Sequence, residues 1–256
     1  MGLSVRMMVI ASVGLWVLGC VRSEEPSFRP ARASSEEETL PNHESPRAEA
    51  VPVQAEAGGE RLLQPSRLNE RAPDHFVVEF DTTKGPVRIE VTRAWSPNGA
   101  DRFYNLVRAG YYTDVVFFRV IEGFMAQAGI HGNPEVNRAW RDANIPDDPP
   151  VQSNTRGMVS YAMGGPGTRT TQFFINFGDN SRLDSMGFAP FGRVVDMSVV
   201  DRLYSGYGEG APSGRGPMQA RIQQEGNAYL RTSFPELDAI RSARILEEPS
   251  GGAPSR

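Results

Sequence analysis

One arginine stands in the most apolar stretch of this chain. Residues 117–129 read FFRVIEGFMAQAG, with a strand-like run that carries Arg119 into Glu122-Gly123 and a second run that carries Met125 and Gln127. A charge in such a strand is costly unless it is paired or has a task. Alternation places Val115, Phe117, Arg119 and Ile121 on one face and Val116, Phe118 and Val120 on the other. What Arg119 meets depends on the turn. A two-residue turn sets it across from Ala126, whereas a three-residue loop over Glu122–Phe124 sets it across from Gln127 on the same face. Local sequence does not choose between them.

Other chemistries find little support. His43, His75 and His131 lack metal-ligand spacing, and there is no CxxC partner. The stretch Gly164–Gly167 is not followed by Lys and Ser/Thr and does not open a helix, and there is no GxSxG elbow. Asp147 and Asp148 sit in a Pro-rich segment with no sign of burial. A nucleophilic, acid–base or metal-dependent enzyme is therefore not indicated, and no cofactor or metal is expected. The net charge of −4 argues against sequence-independent nucleic-acid binding, which needs a basic face.

The single cysteine, Cys20, excludes an intramolecular disulfide. Its setting explains it better. Arg6 precedes an apolar run from Met7 to Leu18, too short to span a bilayer, and Gly19 follows directly before Cys20. Val17-Leu18-Gly19-Cys20 resembles a lipoprotein processing site, although Leu18 is larger than the small residue usual there. Residues 1–19 are thus expected to be a signal peptide, and Cys20 the acylated anchor of an envelope protein facing an extracytoplasmic space. From residue 20 to 74, Glu, Ser, Pro, Ala and Arg dominate without apolar periodicity, so a disordered tether is expected. Residues 248–256 read as a disordered tail.

Between these segments, residues 75–247 carry the patterning of a folded domain. Residues 76–81 and 87–91 alternate as a hairpin around Thr83–Pro86. Ser96-Pro97 opens a helix that buries Ala100, Phe103, Leu106 and Val107 and ends at Gly110. Residues 131–156 read as a long loop. Strands are expected at 158–162, 172–175, 191–195 and 243–246, a short helix at 197–204, a glycine-rich loop at 205–216, and a helix at 219–230. The class is mainly β, barrel or sandwich.

The 117–129 run is similar to the cyclophilin motif F-H-R-I-I-P-G-F-M-x-Q-G-G. The blocks GMVSYA at 157–162, Gly165-Pro166, TQFFI at 171–175, Leu183-Asp184 and FGRV at 191–194 follow in family order. The resemblance covers about residues 75–247. It implies a closed eight-stranded antiparallel barrel with two capping helices, beside which the 205–216 loop and the C-terminal helix at 219–230 are expected to be an insertion before the last strand. It also implies the three-residue loop and a peptidyl-prolyl cis–trans isomerase. By motif, Arg119, Gln127 and Phe124 are expected to be catalytic. Met125, Ala162, Met163, Gln172, Phe174, Leu183 and Phe188 are expected to hold substrate. Alternation independently puts Gln172 and Phe174 on one face, with Phe173 and Ile175 turned to the core.

The implied activity is acceleration of X–Pro rotation in exported, proline-containing polypeptides by a monomer held at the membrane through its lipid anchor. Arg119 then reads as the catalytic group and not as a structural ion pair. A proline-peptide binding module or chaperone with incidental isomerase activity is the alternative; a small-ligand barrel is a weaker third reading. The chain departs from the motif at Phe118 (His in the family), Glu122 (Pro), Met163 (Asn), Arg182 (Trp, linked to tight cyclosporin binding) and Phe188 (a pocket His). The expectation is retained activity with weak cyclosporin sensitivity.

Overall fold

The computed structural model describes residues 55–246, so the readings for residues 1–19, Cys20, the tether as far as residue 54 and the tail from 248 lie outside it. Strands β1 (His75–Thr82) and β2 (Gly85–Thr92) pair from His75↔Thr92 to Thr82↔Gly85, around the two-residue turn Thr83-Lys84. Phe76, Val78 and Phe80 on β1 and Val87, Ile89 and Val91 on β2 are all buried, as a period-two pattern requires of one core face. The remaining strands are β3 (Val115–Val116), β4 (Arg119–Ile121), β5 (Met125–Ala128), β6 (Met158–Tyr161), β7 (Phe173–Asn176), β8 (Pro190–Val194) and β9 (Ala239–Leu246). They form one antiparallel sheet in the order β3-β9-β1-β2-β8-β6-β7-β5-β4. Its two edge strands, β3 and β4, are consecutive in the chain and separated only by Phe117 and Phe118. Three peptide steps span at most about 11 Å, so the sheet has to curl until its ends are neighbours.

That two-residue gap corrects the expected alternation. Val115, Phe117 and Val120 enter the main core, while Val116 and Phe118 enter a second cluster. Parity therefore switches between Phe118 and Arg119, and Arg119 does not share a face with Phe117. An unbroken apolar run conceals such a break because every residue in it tolerates burial.

Helix α2 (Pro97–Arg108) packs Ala100, Phe103, Leu106 and Val107 inward. The Phe103 ring lies 5.9 Å from Phe80, 6.0 Å from Phe173 and 4.8 Å from Phe191, tying the helix to three strands. Its N-terminus is capped, though not by the Ser96 side chain. Ser96 Oγ donates to Asp148 Oδ2 at 2.6 Å, and Asp148 accepts the backbone N–H groups of Gly99 at 3.0 Å and Asn98 at 3.2 Å. Asp148 is thus buried, against expectation, and Arg169, itself buried, bridges to it at 3.1 Å. This pair of charges does structural work, satisfying the orphan donors of a helix start.

Four other expectations need correction. Residues 134–140 of the expected loop form helix α3 (Pro134–Trp140), started by Pro134 with Asn133 Oδ1 accepting from the Glu135 N–H. The tether ends earlier than its composition suggests. Helix α1 (Ala55–Leu62) and a 3-10 turn at Pro65–Arg67 precede β1, and Leu62, Leu68 and Ala72 are buried in the main core. Trp140 Nε1 donates to Leu62 O at 2.7 Å, a partner 78 residues away that no local window contains. The region 197–204 holds only a 3-10 turn, Val200–Arg202, in place of a helix.

The expected 219–230 helix is two: α4 (Gln219–Glu225) and α5 (Asn227–Ser233), broken at Gly226. Gly226 has φ 60°, and any Cβ there would strike Gly132 O, whose carbonyl accepts the Asn227 N–H at 2.9 Å. Ile222, Tyr229 and Leu230 from this pair close over Val116, Phe118 and Ile130 to form the second apolar cluster. No helix among the described residues is long and apolar enough to cross a membrane.

Candidate functional site

The register between β4 and β5 is Arg119↔Gln127, Val120↔Ala126 and Ile121↔Met125, so the connecting loop is Glu122–Phe124, with Gly123 at φ 70°. Arg119 and Gln127 are therefore directly opposed. Arg119 Nη1 donates to Gln127 Oε1 at 3.0 Å, and Gln127 Nε2 donates onward to Gln172 Oε1 at 3.0 Å. Gln127 also lies opposite Phe174 on β7, which brings the ring of Phe174 beside this polar chain. A buried amide that both accepts from one neighbour and donates to the next has its orientation set by the two together.

Beside the chain opens a cavity of about 410 Å³. It is lined by Arg119, Phe124, Met125, Gln127, Ala162, Met163, Gln172, Phe174, Leu183 and Phe188, together with Gly164, Thr168, Thr170 and Gln219. Every substrate-site residue expected from the sequence is thus in one place; only Cys20 lies outside the described residues. Met125, Phe174 and Leu183 form a small buried cluster, against which Phe124, Ala162 and Phe188 pack. The Phe174 and Phe188 rings meet edge-on at 5.7 Å. Such a floor suits a compact apolar ring, and the guanidinium and two carboxamides beside it suit a peptide backbone.

The wall that carries Leu183 and Phe188 is held from below. Asn154, fully buried, donates through Nδ2 to Asp184 Oδ1 and to Phe188 O, each at 2.8 Å, while Ser160 Oγ donates to Asn154 Oδ1 at 2.7 Å. Partial burial opposes ionisation of Asp184, but the hydrogen bonds from Ser153 and Asn154 outweigh it and hold its carboxyl below the usual value. Arg182, at the tryptophan position of the family motif, sets its guanidinium 4.9 Å above the Phe124 ring, and Arg119 lies 5.8 Å from that ring.

One contact of Arg119 is not legible in the local sequence. Arg119 does have an ion-pair partner: Nε donates to Glu209 Oε1 and Nη2 to Glu209 Oε2, both at 2.6 Å. Glu209 belongs to the glycine-rich loop 205–216, of which it is the single carboxylate. The Arg119 guanidinium holds its carboxyl below the usual value against partial burial, helped by the Gly210 N–H at 2.8 Å. The same stretch reaches the site a second time through Gln219 at the start of α4. Two departures from the motif also meet this insertion. Phe118 lies beneath α4 and α5, and Glu122 Oε1 accepts from Ser205 Oγ at 2.7 Å. The signal available in the sequence was the co-occurrence of an insertion with two substitutions beside Arg119.

Comparison with known proteins gives the same direction. The family model described as "Cyclophilin type peptidyl-prolyl cis-trans isomerase/CLD" matches residues 77–223, more than half of the chain. Peptidyl-prolyl cis-trans isomerase B of Escherichia coli is 31% identical over 158 residues, which cover 58% of this chain and 93% of that protein. A peptidyl-prolyl cis-trans isomerase of Acinetobacter baylyi is 34% identical, over 53% of this chain and 76% of its own length. Human peptidyl-prolyl cis-trans isomerase-like 3 is 34% identical, over 49% and 80% respectively. Among solved structures, a Cryptosporidium parvum cyclophilin-type isomerase superposes with a TM-score of 0.50 at 21% identity, over 68% of this chain and 99% of that one, a likeness of fold. With the Arg119–Gln127–Gln172 chain set over an apolar pocket, the protein belongs to the cyclophilin-type peptidyl-prolyl cis–trans isomerases.

Proposed function

We propose that Arg119 drives isomerisation by hydrogen-bonding the prolyl nitrogen of the substrate as the peptide bond twists. Amide resonance imposes a rotation barrier of about 18–20 kcal/mol, and X–Pro bonds left alone interconvert in roughly tens to hundreds of seconds. Twisting uncouples the nitrogen lone pair from the carbonyl and makes that nitrogen an acceptor. A donor aimed there binds the twisted state better than either planar state, which is what lowers the barrier. Phe124, Met125, Phe174, Leu183 and Phe188 would receive the proline ring, while Gln127 keeps Arg119 in place and Gln172 keeps Gln127 in place. The observation that carries this reading is the position of a guanidinium, fixed by Gln127 at 3.0 Å, on the rim of an otherwise apolar pocket.

Arg119→Ala, assayed on a proline-containing peptide, should lose on the order of thirtyfold in kcat/KM, the equivalent of about 2 kcal/mol for one charged donor. Full activity would rule out the mechanism. We further read β3 and β4 as one strand interrupted at Phe117-Phe118, which would reduce nine strands to the eight of a closed barrel. The pattern around Cys20 supports an envelope-anchored enzyme that acts on exported polypeptides. Cys20→Ser should then move the protein from the membrane fraction to the soluble fraction, and continued sedimentation with membranes would contradict the anchor.

A further inference from the structure

We propose that Glu209, supplied by the glycine-rich loop 205–216, is a positioning residue that holds the Arg119 guanidinium in its working orientation from behind. The inference rests on Arg119 being the group that contacts substrate. Arg119 has five N–H donors. Glu209 takes one from Nε and one from Nη2 in a bidentate fork, and Gln127 takes one from Nη1. That leaves one N–H on Nη2 without a partner, while the second on Nη1 has only the weak contact to Met125 Sδ at 4.0 Å, which a substrate acceptor can replace. Arg119 lines the cavity and Glu209 does not, so the carboxylate grips the guanidinium without entering the space a proline ring would use.

The loop is built to present this carboxylate. Gly216 N–H donates to Glu209 O at 2.8 Å, Ala211 N–H to Gly216 O at 3.0 Å, and Gly214 N–H to Gly210 O at 3.0 Å. A Cβ on Gly214 would collide with the Glu209 carbonyl and stand 2.8 Å from its Cβ; on Gly216 it would lie 2.9 Å from the same carbonyl. Both sites therefore require glycine for the chain to fold back on Glu209. The loop is fastened to the body through Ser205 to Glu122, through the Tyr204 N–H to Asp238 Oδ2 at 2.7 Å, and through the Tyr207 ring, 5.1 Å from Tyr204 and 5.0 Å from Phe234. A long flexible side chain that must meet a transient geometry gains rate when its freedom is removed before substrate arrives. Gln127 restrains one terminal nitrogen, and the planar fork of Glu209 fixes the plane of the whole group.

The test is a double-mutant cycle on the full chain with Arg119→Ala, Glu209→Ala and both together, following kcat and KM on a proline-containing peptide, with the Arg119 Nε–H resonance observed by NMR. Glu209→Ala should lower kcat on the order of fivefold with KM little changed, and should expose the Arg119 Nε–H to rapid solvent exchange. In the Arg119→Ala background it should cost nothing more, because its effect passes through Arg119. Glu209→Gln, which keeps the shape and an acceptor for Gly210, separates loss of the charge from loss of the loop. Unchanged or faster turnover in Glu209→Ala would overturn the proposal, the latter by making the contact inhibitory. An equal further loss in the Arg119→Ala background would overturn it too, as general damage to the loop. Failure of the underlying mechanism is separately visible, since Arg119→Ala alone would then retain full activity and remove the basis of both.

Discussion

Restoring the family histidine at position 118 should damage this protein. Phe118 is 1% exposed and packs among Val116, Ile130, Ile222, Tyr229 and Leu230. An imidazole there would bring a donor and an acceptor into an apolar cluster. The Tyr229 hydroxyl is the polar group of that cluster, and it already accepts the Met218 N–H at 3.2 Å. Burying polar groups without partners costs about 1–3 kcal/mol in proteins, and the lost transfer of a phenyl ring to the interior adds a further part of its roughly 1.5–3 kcal/mol. Phe118→His should therefore destabilise by about 3 kcal/mol. At about 2–4 °C per kcal/mol for a domain of this size, the melting temperature should fall by roughly 6–12 °C. Thermal melts followed by circular dichroism measure it directly. The fall should be greater at pH 6 than at pH 8, because a protonated imidazole is harder to bury. A midpoint within about 2 °C of the parent at both pH values would refute the view that packing under α4 and α5 explains this departure from the family motif.

Two further outcomes concern Gly129, which lies against the backbone of Gln172, and His131. Gly129 has φ 108°, and a Cβ on it would stand 2.6 Å from Gln172 Cα and strike Thr171 O. Gly129→Ala should thus cost about 2–4 kcal/mol in urea unfolding and lower kcat/KM by displacing Gln172; a well-folded variant of full activity would contradict the close approach. His131 is driven by burial below its ordinary value of 6.5, and its Nδ1 accepts the Asn133 N–H at 2.9 Å. Its folded pKa lies below the unfolded one, so the unfolded chain takes the proton first and stability declines as pH falls through about 6.5. His131→Asn, which can keep the acceptor, should flatten that part of the stability profile, and an unaltered slope would assign it to other groups.

Much of the site was legible in the chain because its residues come from a few short stretches whose own patterns locate them. The 117–129 run places Arg119, Phe124, Met125 and Gln127 on one hairpin, and the alternation of 172–175 separates Gln172 and Phe174 from Phe173 and Ile175. Periodicity also located α2 and the β1–β2 hairpin, where one face is buried and the pattern is clean. It left the Arg119 register open, since a two- and a three-residue turn are both compatible with Glu122-Gly123. Hydrogen bonding across β4 and β5 decides it in favour of Gln127.

Contacts between residues far apart in the chain are visible only in the folded protein. Asp148 lies in a Pro-rich stretch whose composition gives no sign of burial, yet it caps α2 from 49 residues away in the chain and pairs with Arg169. Leu62 sat in a polar segment and proved to be core, because its partner Trp140 lies 78 residues further on. Arg119 is the sharpest case. From the sequence alone it follows that a charge stands in an apolar strand and therefore needs a partner or a task. It does not follow that the partner is Glu209, 90 residues later, because Coulomb attraction and hydrogen bonding act through space and leave no trace in local composition. The fold gives Arg119 an ion pair on one side and an open pocket on the other.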